Sequence, residues 1–261
     1  SDDYLSNDAY SVLITDPWFY VASTIAVLIV GIAKGGLGGG IGIVAVPLMS
    51  MVVSPLQAAA ILLPLLMAMD ALALRAYWRQ WNWQYLELLV PAALGGTVIG
   101  FFTAHYISVT GLRALVGIVA LAYALQYFLP RTNHHSKTAG RRSAMFWGAT
   151  AGFTSFSIHA GGPPLQAYLL QQRMDRTTFQ ATGVLFFFVV NWSKVLPYAW
   201  LGQWSIDTLL TSLVLLPLAP IGVSLGRHLH QRINDAIFFG VIHGSLFLIG
   251  IKLLYDAVMN S

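Results

Sequence analysis

Few side chains in this sequence can carry charge, and their neighbours are unusual. Lys34 sits in AKGGLGGGIG, within a stretch holding seven glycines from Gly31 to Pro47. His159 sits in SFSIHAGGPP. Asp70, Asn191 and Lys194 interrupt apolar runs, and Arg75 lies five residues after Asp70. This set suits recognition of a small anion. Gly35, Gly36, Gly38, Gly39 and Gly40, with Gly161 and Gly162, let backbone N–H groups approach a ligand. Pro163 or Pro164 suits the first helical turn, where a missing N–H costs nothing. A helix N-terminus offers unpaired donors and a partial positive charge, which makes it an anion site. Lys34, Lys194 and Arg75 would add cationic charge.

Each residue also has a plainer reading. Lys34 can mark a cytoplasmic turn between two helices held close by glycine. Asp70 can pair with Arg75 or Lys194, or it can take up and release a coupling proton, since an ionisable group inside a membrane is expensive unless paired. Lys194 can snorkel outward. His159 can be a structural donor, a ligand contact or a protonation site. Asn191 has donors and an acceptor for either interhelical bonding or a ligand.

The elements that position these groups are membrane helices. Of 261 residues, 9% are charged, against about 25% in soluble domains. Mean hydropathy is +0.68. Uncharged runs cover 17–33, 35–69, 88–112, 143–172, 177–193 and 208–226. A spanning helix needs roughly 20 apolar residues, so an all-α polytopic membrane protein is expected. Runs such as VLFFFVV do not alternate as the strands of a membrane barrel must. Ten segments are predicted, at about 17–33, 36–53, 56–79, 85–104, 111–129, 144–158, 162–172, 177–200, 206–226 and 235–258. SDDYLSNDAY has no basic stretch of the kind that opens a signal peptide, so the first apolar segment is kept as a membrane helix.

Arg75 and Arg79, then Arg131, Lys137, Arg141 and Arg142, then Arg173 and Arg176, then Arg227 and Arg232 fall on alternate connections. The positive-inside rule puts these in the cytoplasm and both termini outside. That pattern holds only if 143–172 enters and leaves on one side, as a re-entrant hairpin with its tip at TSFSIHAGGPP. The layout is then an extracytoplasmic tail at 1–16, a first membrane repeat at 17–129, a basic cytoplasmic linker at 130–143 and a second repeat at 144–258.

The halves align with each other. A shift of 121 places Gly31 on Gly152, Asp70 on Asn191, Tyr77 on Tyr198 and Trp83 on Trp204. A shift of 126 places Pro91 on Pro217, Gly96 on Gly222 and Gly100 on Gly226. Five segments in each half require opposite insertion, and the two glycine-rich breaks fall at corresponding places. Inverted-topology repeats with interrupted helices are the architecture of many secondary transporters.

Other chemistries lack their residues. There is no cysteine, hence no disulfide or thiolate chemistry. No HExxH, Walker or GxSxG pattern is present, and GGLGGG has no βαβ context. Neither an enzyme nor a cofactor nor a metal site is expected. His134 and His135 belong to the basic linker. The pI near 9.4 follows from cytoplasmic loop cations and does not imply nucleic acid.

These motifs give the sequence its likeness. With AKGGLGGGIGIVAVP, GGPPLQAYLL, QATGVLFFFVVNWSK and the paired GGTVIG and IGVSLG, the chain resembles the sulfite exporter TauE/SafE family, also called the toluene-sulfonate uptake permeases, over about 17–258. The resemblance implies a bacterial inner-membrane secondary transporter for sulfite, thiosulfate or an organosulfonate. It implies site positions at the glycine tips, at Asn191 and Lys194, and at Arg75 and Arg79. The second tip departs from the first in being poorer in glycine and bearing His159. A carboxylate transporter and an anion channel remain the alternative readings. The expected partners are the anion and the lipid bilayer, with proton coupling and a homodimer left open.

Overall fold

The computed structural model describes residues 14, 16–103, 106, 108–125 and 140–259. Most of the 1–16 tail and residues 130–139 of the linker, with Arg131, His134, His135 and Lys137, lie outside the described residues.

The described chain is helical, with no strand among the described residues. The helices are α1 Pro17–Ile32, α2 Ala45–Met49, α3 Pro55–Ala76, α4 Trp83–Thr103, α5 Val109–Leu125 and α6 Arg141–Ile158. They continue with α7 Gly162–Leu169, α8 Arg176–Ser193, α9 Val195–Trp200, α10 Ile206–Leu215, α11 Leu218–Arg232 and α12 Asp235–Met259. Local chemistry sets the starts. Asp16 and Ser54 accept from the N–H groups of Trp18 and Gln57, at 2.8 and 3.2 Å, and a proline follows each cap. Ser205 and Thr208 form a reciprocal capping box on α10.

Five helical stretches are long and apolar enough to cross a membrane: 17–37, 55–76, 83–103, 176–200 and 235–259. The pair α10 and α11 makes a sixth if counted as one span bent by 44°. That bend divides the predicted segment 206–226, and Pro217 caps α11 at the joint. The break in the first segment also falls later than expected. The chain continues past α1 as a π-helical turn, Ala33–Leu37, and breaks at Gly38 with φ of 78°. A 3-10 stretch, Gly39–Val44, then leads into α2.

Between membrane helices the apolar effect is weak, and close approach through small residues does the joining. A Cβ added to Gly31 on α1 would lie 2.8 Å from Gly222 Cα on α11. One added to Gly96 on α4 would lie 2.0 Å from the Ala149 carbonyl of α6, and one on Gly152 the same distance from the Ala93 carbonyl. α5 packs along α12, where Gly117 and Gly250 face each other's helices. Pro64 within α3 cannot donate to the Ala60 carbonyl. The Trp204 indole N–H donates there instead, at 3.2 Å.

Candidate functional site

The first tip is held by its own carbonyls. The last C=O groups of a helix have no partner within it, and here side chains from other elements supply one to each of four. Gln180 Nε2 on α8 donates to the Lys34 carbonyl at 2.7 Å and the Ala33 carbonyl at 3.3 Å. The Tyr77 hydroxyl donates to the Gly35 carbonyl at 2.7 Å. His230 Nδ1 donates to the Gly36 carbonyl at 2.9 Å, so its Nε2 accepts from the Thr177 hydroxyl at 3.3 Å. Gln180 Oε1 also accepts the Gly38 N–H at 2.8 Å.

This bracing aims Lys34 into the protein. Its Nζ reaches Asp70 Oδ1 on α3 at 2.6 Å and lies 4.3 Å from the centre of the Phe187 ring. Asp70 Oδ2 accepts from Asn191 Nδ2 at 2.7 Å, and Asn191 Oδ1 accepts from Lys194 Nζ at 3.1 Å. The result is one chain of hydrogen bonds, Lys34 to Asp70 from one side and Lys194 through Asn191 from the other. All four side chains are buried, with Asp70 and Lys194 at 0% exposure. Two lysines against one aspartate leave the cluster with one formal positive charge.

The second tip turns back on α6. His159 closes that helix in the left-handed region with φ of 53°. Gly161 then sits against the Ala151 carbonyl and Ser155, and a Cβ on Gly162 would lie 2.7 Å from Gly40 Cα. The two tips therefore touch. His159 Nε2 and the Tyr198 hydroxyl are 2.6 Å apart, while Nδ1 is buried and has no partner.

Two small cavities adjoin the cluster. The larger, about 30 Å³, is lined by Lys34, Gly39, Ser155, His159, Gly162, Phe187, Asn191 and Lys194 among others. The smaller, about 10 Å³, is lined by Lys34, Gly38, Gly39, Gln166, Gln180 and Phe187 among others. Lys34, Gly39 and Phe187 form the wall common to both.

The predicted residues thus separate into groups. Lys34, Asp70, Asn191 and Lys194 come together, with His159, Gly39 and Gly162 on the same cavity. Gly40 and Gly161 serve close packing, against the Gln166 amide and against the Ala151 carbonyl and Ser155, and Pro163 is buried in the first turn of α7. Gly35 and Gly36 do not cradle a ligand: a Cβ there would lie 2.2 Å from the Val223 carbonyl and 2.0 Å from the Gly226 carbonyl, so they serve close packing on α11. The Gly38 N–H is already taken. Arg75 is exposed and does not pair with Asp70, whose carboxylate instead takes Lys34 and Asn191. Lys194 does not snorkel. Gln166, Gln180 and Phe187 are not among the predicted site residues, because neutral amides and aromatics in an apolar run carry no charge signal, although they lie in GGPPLQAYLL and QATGVLFFFVVNWSK; Tyr198 is marked only as the repeat partner of Tyr77.

Apolar helices enclosing a charged, hydrogen-bonded cluster define a multi-pass membrane protein with a polar site in its interior. A family model described as sulfite exporter TauE/SafE matches residues 23–253, and the chain belongs to that family of membrane transporters. No curated protein and no solved structure gives a significant match.

Proposed function

We propose that this protein is a secondary transporter of a small sulfur-containing anion, such as sulfite, thiosulfate or an organosulfonate, working by alternating access in the bacterial inner membrane. The observation that carries the reading is the buried cluster of Lys34, Asp70, Asn191 and Lys194 with its one uncompensated positive charge. A monoanion beside Lys194 would neutralise it. The N–H groups of Gly39 and Gly162, both on the larger cavity, would supply further donors, since Pro163 and Pro164 have none and the Leu165 N–H is bound to the Gly161 carbonyl. His159 Nδ1 would add another if the Tyr198 hydroxyl donates to Nε2. Few cations and several dipoles give moderate affinity, which suits release as well as capture.

Inverted repeats are supported by how the halves meet. Asp70 and Asn191, equivalent under the shift of 121, hydrogen-bond to each other, as residues astride a pseudo-two-fold axis would. Gly31 meets Gly222 and Gly152 meets α4 beside Gly96, which are the same contact in the two halves. On this reading both tips are re-entrant, and both termini face away from the cytoplasm. Coupling to protons falls less naturally on Asp70, which is engaged by two donors, than on His159.

The test is counterflow into liposomes. Vesicles carrying the purified protein and loaded with unlabelled sulfite should accumulate labelled sulfite with saturable kinetics. Lys194→Met leaves Lys34 and Asp70 balanced, so the protein should fold. It should lose a charge-assisted contact worth about 1.5–3 kcal/mol, or roughly 10- to 150-fold in affinity. Unsaturable flux without counterflow would indicate a channel. Unchanged affinity in a folded Lys194→Met protein would move the anion away from this cluster.

A further inference from the structure

Gln166 and Gln180 line the same small cavity but differ in how their amides are used. A glutamine amide has hydrogens to donate and an oxygen to accept, and buried amides are nearly always bonded. Gln180 conforms, with its oxygen on the Gly38 N–H and its nitrogen on two carbonyls of the first tip. Gln166 does not. It is 2% exposed, yet neither Nε2 nor Oε1 has a hydrogen-bond partner.

Slack packing is not the reason. The amide lies so close to the first tip that a Cβ on Gly40 would be 2.6 Å from both of its polar atoms, and one on Gly38 would be 3.2 Å from Nε2. The cavity it faces is about 10 Å³, space for a single water at most. A leucine would fill such a place without orphaning two polar atoms. The amide shares this cavity with Lys34, whose other cavity holds Asn191 and Lys194, and Phe187 stands in the wall between.

We propose that Gln166 is a cargo-recognition residue that donates through its amide to one oxygen of the transported anion. This rests on the transport reading above and adds a basis for selectivity. Gln166 lines one cavity, Lys194 the other and Lys34 both, so an anion spanning the two would meet three separate donors. Three donors suit the three oxygens on the sulfur of sulfite or a sulfonate. A carboxylate has two oxygens in a plane and leaves one donor unanswered. A site built to hydrogen-bond a group discriminates against the analogue that lacks it. The anion is larger than either cavity, so its entry requires the Phe187 ring to swing and join them.

The test uses the full protein in liposomes, with labelled sulfite as probe and acetate as competitor. Gln166→Leu should raise KM for sulfite about tenfold or more, the loss of one hydrogen bond to a charged group. Vmax should stay within about threefold, and inhibition by acetate within about twofold, because uniform binding is what was removed. The thermal midpoint should hold or rise, since two unsatisfied atoms are gone. Gln166→Glu keeps the size, places a carboxylate against the cargo and should weaken sulfite further. Sulfite KM unchanged in both variants overturns the proposal, as does equal weakening of sulfite and acetate, or a fall in thermal midpoint with KM unmoved. Absence of sulfite, thiosulfate and sulfonate flux in the unsubstituted protein overturns the transport reading itself, and it is seen before any variant is made.

Discussion

Asp70→Asn is the substitution whose effect follows most directly from the cluster. Asp70 is its only group that accepts without donating, and it ends the hydrogen-bond chain arriving from both sides. With asparagine at 70, the Lys34 ammonium can keep an oxygen. The new amide nitrogen must then face Asn191 Oδ1, which turns Asn191 Nδ2 toward the Lys194 ammonium. Flipping either amide moves the donor-to-donor clash without removing it. Two buried lysines are also left with no counter-charge. Breaking a buried pair from one side costs about 3–5 kcal/mol. At roughly 2–4 °C per kcal/mol for a chain of this class, the thermal midpoint should fall by about 10 °C. The assay is tryptophan fluorescence during heating of detergent-purified protein, for which the chain carries eight tryptophans. Asp70→Asn combined with Lys34→Met removes the clash and one charge, and should recover at least half of the loss. A single-variant midpoint within about 2 °C of the parent would mean that the pair contributes under about 1 kcal/mol, and would refute the electrostatic reasoning.

Adjacent glycines on α4 should behave oppositely. Gly96→Ala must push α4 from α6, because its Cβ would lie 2.0 Å from the Ala149 carbonyl, whereas Gly95→Ala meets nothing within 4 Å. Heating curves should show a clear loss for the first, and no change or a gain of up to about 1 kcal/mol for the second. Asp175 caps α8, accepting from the Thr177 and Thr178 N–H groups at 3.0 Å each and from the Thr178 hydroxyl at 2.6 Å. Asp175→Ala should cost about 1 kcal/mol at neutral pH. Partial burial would raise the Asp175 carboxyl, but the hydrogen bonds from Thr178 and Thr177 outweigh it and hold the group below the usual carboxylate range. A depressed folded-state value means stability that is complete above the unfolded value and lost as pH falls through the folded one. The gap between parent and Asp175→Ala in pH-resolved melts should therefore be full at neutral pH and close below about pH 4. A gap independent of pH would show that the carboxylate is not the capping group.

How much of this was legible in the sequence depended on whether local composition or distant contact decided it. The apolar runs set the helices, and most of the ten predicted segments correspond to described helices; 36–53 instead holds a 3-10 stretch and the short α2, and 206–226 is the bent pair α10 and α11, ending at Arg232. The shift of 121 places Asp70 on Asn191, and the two side chains touch. Lys34 as the partner of Asp70 was not legible. Only a π-helical extension of α1 carries Lys34 inward to α3, and nothing local distinguishes that turn from an ordinary break at Lys34. Arg75 was the more economical partner on one helix. It lost because the surface solvates a guanidinium without cost, whereas Lys34 and Asp70 are both buried and must answer each other. Gly35 and Gly36 carried the same glycine signal as Gly39, since sequence does not say whether a missing side chain admits a ligand or another helix.

The two tips end up with opposite polar accounts, and this bears on which one adapts during transport. At the first tip the carbonyls of Ala33, Lys34, Gly35 and Gly36 and the Gly38 N–H are all answered by Gln180, Tyr77 and His230. Moving that tip breaks several buried hydrogen bonds at once. At the second tip His159 Nδ1 and both polar atoms of Gln166 are unanswered. The second tip is the poorer in glycine, yet the unsatisfied donors and acceptors lie on that side. A buried polar atom without a partner raises the energy of the state that contains it. The state that supplies a partner is favoured by the same amount. On the transport reading, the first tip is the fixed wall that holds Lys34 in place. On the same reading, the second tip and the Phe187 ring are where a bound anion would shift the balance between conformations.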